Sequence, residues 1–196
     1  MANYPDFNVT GQISSVPITP IGDNTMLQGL GFPLRPVSTE GAVEPGLVQV
    51  LVAQSEVTQN PTGLGVPLQV TFGPGVAAQD ATMDAAGALT FNNAGAYLIL
   101  CGYYVVRTAA QGESLTMLRF LIDGQPAGNP VATEITDSGV SEYNQISLAG
   151  QVSAGTVLTT EIIRDSNYAN DGGLIAFPSA DGWGTAPSTI MRVLRF

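Results

Sequence analysis

The side chains best placed for chemistry lie in the run Asp165-Ser166-Asn167-Tyr168-Ala169-Asn170-Asp171-Gly172. Its Asp and Asn oxygens loosely echo a calcium loop, in which carboxylates and amides at alternate positions surround the ion. The pattern D-x-[DN]-x-[DN]-G breaks at Ala169, and no Glu follows at the required spacing, so a solvated loop is expected and no metal site. Asp80 with Asp84, and Glu134 with Asp137, are carboxylate pairs. A glycosidase needs its two carboxyl groups roughly 5–9 Å apart across the scissile bond, and closeness along a loop does not supply that. Gly63-Leu64-Gly65 and Gly73-Pro74-Gly75 open no helix, so they read as turns and not as phosphate cradles. The single Cys101 lies in the apolar run Tyr97–Gly102 and reads as a buried, inert thiol.

Composition narrows the chemistry further. The 196 residues contain no histidine, and all six basic residues are arginine. There is therefore no imidazole base, no Ser-His-Asp or Cys-His pair and no His-ligated metal. Without lysine there is no Schiff base and no phosphate-loop lysine. No catalytic residue and no cofactor is expected, and the chain reads as a non-enzyme; a carboxylate-only glycosidase is the enzymatic alternative. A net charge of −10 with scattered arginines argues against nucleic acid as a partner. The opening Met-Ala-Asn-Tyr-Pro-Asp has neither a basic n-region nor an apolar h-region, so no signal peptide is expected. The longest uncharged, largely apolar stretch, Gly95–Val106, is far too short to span a membrane as a helix. One cysteine cannot form an intramolecular disulfide, so no oxidising compartment is implied.

Only 11% of residues are charged, against roughly 25% in ordinary soluble domains. With 44% hydrophobic residues, much of the surface must be small, polar-uncharged or apolar. Coverage by other subunits would account for it.

The elements that carry these residues fall into two regions. Residues 1–46 hold Pro5, Pro17, Pro20, Pro33, Pro36 and Pro45, which forbid helix interiors and central strands. Apolar residues persist there, among them Phe7, Leu27, Leu30 and Phe32, whereas disordered tails are depleted of them. The region is expected to be an extended arm that orders on another surface. Residues 47–196 read as one β domain. Short strands are expected at 47–53, 66–72, 88–92, 96–107, 114–122, 145–152, 157–164, 173–177 and 188–196. Turns are expected at Asn93–Gly95, Asp123-Gly124, Gly128-Asn129-Pro130, Ser153–Gly155, Asn170–Gly173 and Asp181-Gly182. Only 77–88 has helix-friendly composition, and a short turn fits it equally well. Many short strands without intervening helices mean a sandwich or barrel.

Strands 96–107 and 114–122 are apolar on both faces, whereas antiparallel sheets usually wet one. A subunit interface explains this, as does the arm folding back on its own domain. On the last strand Arg192 shares a face with Ile190, Leu194 and Phe196, and Arg195 shares the other with Met191 and Val193. Each arginine either pairs with a carboxylate across an interface or marks a strand end reaching solvent.

The order of residues resembles a known family. Ala88-Leu-Thr-Phe91 with Ala94-Gly95-Ala96-Tyr97 and the long strand to Val106 resembles a strand pair of complement C1q-like domains. Leu115-Thr-Met-Leu-Arg-Phe-Leu-Ile-Asp-Gly124 is similar to that family's strand ending in an Asn-Gly or Asp-Gly turn. Ile146–Leu158 resembles its "L.L..GD.V.L" hairpin, with Thr156 where the family has Asp, and Ser188–Phe196 resembles its terminal strand. The resemblance implies an all-β, antiparallel two-sheet jelly-roll sandwich of the TNF/C1q-like kind. It also implies a compact homotrimer with apolar and aromatic residues along its axis, for which Arg192, Tyr103 and Phe196 are the interface candidates. There is no collagen-like stalk.

An arm on such a jelly roll is similar to the trimeric capsid decoration (cement) proteins of tailed bacteriophages. That resemblance implies a virion structural protein on the capsid surface, made in the host cytoplasm, with the major capsid protein as partner. Phe7, Leu27, Leu30 and Phe32 would be its capsid-binding anchors. A tail-fibre or tail-tip receptor-binding module, whose distal loops grip a host glycan, is the alternative. A bacterial C1q-like adhesive or spore-surface protein is a further one.

Overall fold

The computed structural model describes residues 46–73, 75–77, 80–107 and 112–196. The arm residues Phe7, Leu27, Leu30 and Phe32 lie outside the described residues. The compact unit runs from Pro45 to Phe196.

Strands account for nearly all regular structure, and no helix occurs among the described residues. In chain order the strands are β1 (Val48–Ser55), β2 (Leu68–Gln69), β3 (Val76–Ala77), β4 (Ala81–Met83), β5 (Leu89–Phe91), β6 (Gly95–Val106) and β7 (Ser114–Ile122). They continue as β8 (Gln125–Ile135), β9 (Ser141–Val152), β10 (Val157–Arg164), β11 (Gly173–Leu174), β12 (Phe177–Pro178), β13 (Thr185–Ala186) and β14 (Thr189–Arg195). Within 77–88 the described residues form strand and turn, with no helix among them.

The strands form an antiparallel two-sheet sandwich. In sheet A the order is β9-β6-β14-β1-β3, with β11 continuing the β14 side of β6. In sheet B it is β4-β5-β10-β7-β8, with β2 beside the far end of β10. This arrangement is compatible with a jelly roll. The pleat turns alternate β6 residues inward: Tyr97, Ile99, Cys101, Tyr103 and Val105 are all buried. They meet Leu118 and Phe120 of β7 and Leu158 and Ile162 of β10 in one core that spans both sheets. Burying each such side chain contributes about 1.5–3 kcal/mol. Phe91 and Tyr97 pack with ring centroids 4.8 Å apart, within the favoured range for aromatic pairs.

Two local signals resolve differently. Asp123-Gly124 makes the expected hairpin turn between β7 and β8. Both residues take positive φ, 49° and 76°, as a type I′ turn demands. Gly128-Asn129-Pro130, expected as a turn, is instead a bulge inside β8. The β7–β8 register slips between Leu118 and Phe120, so three residues, 128–130, stand where Arg119 would face one. A bulge is one of the few places a sheet admits proline. The same composition that ends a strand here only kinks one, and β8 had no counterpart among the expected strands.

At one end of the sandwich the buried side chain of Arg107 holds three segments together. Its Nη1 donates to the Thr136 carbonyl and its Nε lies 3.9 Å from Asp171 Oδ2. Its backbone carbonyl accepts from Gly139 N at 2.8 Å. The β8–β9 connection and the 165–172 loop are thereby tied to the end of β6.

Candidate assembly surface

The outward residues of β6 and β14 are largely apolar, whereas their row partners Gln145 and Ser147 on β9 and Gln54 on β1 are polar and exposed. The β6–β14 register sets Leu98 against Leu194, Leu100 against Arg192 and Gly102 against Ile190. Val52 of β1 pairs Arg192 from the other side, and Val76 of β3, 80% exposed, pairs Val52. On β9, Tyr143 pairs Tyr104, and their rings lie 5.0 Å apart. Tyr143 folds its phenol across β6 onto Gly102, where any side chain would collide with it. Val52, Leu98, Leu100, Ile190 and Leu194 are each half-buried, and together they surround one cation, Arg192. Solvated sheet faces normally alternate to polar residues. Apolar side chains gathered on an outer sheet face are the composition found at contact surfaces.

The arginines divide sharply. Arg107 is bound to Asp171 and Thr136, and Arg164 Nε donates to the Gly172 carbonyl at 2.6 Å while its Nη1 reaches Asn170 Oδ1 at 3.1 Å. Burial pushes the Arg164 guanidinium below its ordinary pKa, and the Asp171 carboxylate opposes this. Arg119 donates through Nε and Nη2 to Glu161 Oε2 at 3.1 and 2.9 Å. Arg195 pairs with Asp80 at 3.1 Å, donates to the Ala94 carbonyl and lies over the Tyr97 ring. Among the described residues Arg192 alone has no such partner, and it is exposed. A guanidinium without a carboxylate keeps its bidentate donor fork open.

The other interface candidates separate. Tyr103 faces inward at 1% exposure, so it belongs to the core of a single subunit and cannot line a contact; its neighbour Tyr104 lies on the outer face. Burial pushes the Tyr103 phenol above its ordinary pKa, opposed by the Thr133 hydroxyl. Phe196 follows β14, is 46% exposed and donates its backbone N–H to the Ala96 carbonyl. Tyr104 and Tyr143 went unnamed as candidates because nothing in the sequence says which face of β6 is the inner one.

Several candidate acidic groups are committed to local structure, whereas Glu134 and Asp137 stand exposed on β8 and just after it. In the 165–172 loop, Asp165 Oδ1 accepts from Asn167 N, Asn170 faces Arg164 and Asp171 faces Arg107. The oxygens turn to arginines and not to a common point. Asp80 accepts from Asn93 and pairs with Arg195, and these two partners hold its carboxyl below the ordinary value of 3.8. Asp84 caps its turn by accepting from Ala86 N and Ala88 N at 2.9 and 2.8 Å. Among the described residues no three acidic or cysteine side chains gather as a metal-ligand set. The Cys101 thiol is buried and its pKa is pushed up to about 12 by desolvation, opposed by its contact with Thr189. Comparison of the chain with protein-family models and with curated proteins finds no match.

Proposed function

We propose that this chain is a non-enzymatic virion structural protein, a decoration subunit that assembles as a homotrimer and reinforces a capsid. The observation that carries the reading is the aliphatic outer face of sheet A around the unpaired Arg192. Its half-buried leucines, isoleucine and valine fit a packed subunit contact better than a wetted surface. The resemblance to C1q-like modules supplies the trimer, and the Pro-punctuated residues 1–46 supply the means of attachment to the major capsid protein. Three arms on one trimer raise avidity through effective concentration. The work is mechanical: added contacts across neighbouring capsomers. Deleting residues 1–46 is expected to leave a folded trimer that no longer binds capsids; decoration by the truncated protein would overturn this reading.

A receptor-binding tail module is the second reading, favoured by the exposed aromatic hairpin at Trp183. Competition separates the two: soluble tail-tip protein blocks adsorption of the phage to its host, and a decoration protein does not.

A further inference from the structure

The chain has one tryptophan, Trp183, and it is 91% exposed. It stands at the tip of the β12–β13 hairpin between Gly182 and Gly184, whose φ angles of 77° and 89° are in the left-handed region. The hairpin is not loose. Ser179 N donates to the Gly184 carbonyl at 2.8 Å, Asp181 N donates to Ser179 Oγ, and Phe177 at its base meets Tyr104 edge-on at 5.8 Å. A large indole is therefore held out in water on a tied-down support. Presenting it already ordered reduces the entropy lost on contact.

A matching concavity lies on the opposite side of the sandwich. Pro67, Met117, Pro130 and Ile163 line a groove of about 240 Å³ on the outer face of sheet B, with the Arg119–Glu161 pair in its wall. The bulge in β8 places Pro130 there. Small-molecule pockets typically measure roughly 300–1,000 Å³, so this groove is on the scale of one large side chain. The Arg119 guanidinium is held in place by Glu161 yet its side chain is 43% exposed, so its face is open to an aromatic ring.

We propose that Trp183 of one copy seats in the Met117–Ile163 groove of a second copy. The hairpin rests on the outer face of sheet A and the groove on that of sheet B, so Trp183 does not reach the groove of its own subunit. The indole stacks on Arg119 between Met117 and Ile163. Because knob and groove are different patches, the contact is heterologous and joins copies head to tail into a ring or an open array. The groove lies on sheet B, away from the proposed trimer face, whereas the hairpin shares the outer side of sheet A with it. Met117→Asp therefore leaves the trimer face untouched, and a trimer mass that survives the loss of shielding separates the two contacts.

The single tryptophan supplies the readout. With the full chain, emission wavelength and acrylamide quenching of Trp183 are followed against protein concentration, alongside mass by light scattering. Shielding of the indole in step with growth in mass is expected. Trp183→Ala should weaken this growth by about 30-fold or more, the scale of an interface hot spot. Met117→Asp should keep the indole water-exposed at every concentration, with the circular dichroism of the parent. An equimolar mixture of the two variants, one supplying the groove and the other the tryptophan, should restore shielding that neither shows alone. An indole that stays exposed in the parent overturns the contact. So does shielding that survives Met117→Asp, or that appears only on adding a sugar or an unrelated protein.

Discussion

The phenol of Tyr143 lies across the Cα of Gly102, one strand away, so a glycine on β6 is the seat of a tyrosine on β9. Gly102→Ala is expected to swing Tyr143 outward and break its contact with Tyr104, a loss of about 1 kcal/mol. The Tyr143→Ala change should then cost almost nothing further. A double-mutant cycle by urea denaturation checks this, and full additivity of the two changes would show that they do not communicate.

Arg192 tests the outer face of sheet A. Arg192→Ala should weaken the proposed trimer by tenfold or more, about 1.4 kcal/mol, and shift the mass downward in light scattering at low concentration. An unchanged trimer mass at nanomolar concentration removes Arg192 from the interface.

Arg107 tests the sandwich itself. Arg107→Met deletes the cation that faces buried Asp171 and the donor to Thr136. Breaking one side of a buried pair costs about 3–5 kcal/mol. The urea midpoint should fall with an unchanged slope, the mark of lost stability in an unaltered transition. A midpoint equal to that of the parent would mean that Arg107 stabilises nothing.

Acid sensitivity should centre on Asp80. Its carboxyl titrates below the ordinary value of 3.8 when folded, through Asn93 and Arg195. The stability it contributes is therefore present above about pH 4 and is lost as pH falls through the depressed folded value. Asp80→Asn should be the less stable protein near neutrality, and the gap should close in acid. With no histidine, no ordinary side chain titrates between about pH 5 and 8, so thermal melts there should coincide. A gap that widens in acid would contradict the sign.

Cys101 should resist thiol reagents in the native protein at mildly alkaline pH, because it is buried and its pKa stands near 12. Modification should begin only when denaturant opens the core. Rapid native labelling would show that β6 separates from its neighbours.

The sandwich was legible where period-two alternation and turn chemistry agreed. The long run from Gly95 to Val106 and the Asp123-Gly124 hairpin fall where the residues place them. Legibility failed where tertiary pairing chose between meanings. Gly128-Asn129-Pro130 reads as a turn until β7 is beside it, and then it is a bulge. Val66 continues the alternation of Leu68 and Val70 but is 46% exposed, because the β10 ladder begins only at Leu68 and runs on through the Val70 N–H to the Thr160 carbonyl. The candidate surface was half legible. Both faces of β6 are apolar, so periodicity could group Tyr104 with Leu98 and Leu100, yet only the sandwich assigns that set to the outside. Trp183 was in plain view between two glycines, but its exposure depends on Phe177 pinning the hairpin beneath it.

The place of β14 ties the sheet to its surface. Residues 189–195 lie in the middle of sheet A, with β6 on one flank and β1, whose paired residues come 134 to 147 positions earlier, on the other. They also bring Ile190, Arg192 and Leu194 to the outer face. A chain that has yet to make this stretch can fold the β7–β8 hairpin, but its sheet A stays split between β6 and β1. One short segment is thus both the central seam of the sheet and the middle of its outer face, so the two form together or neither does.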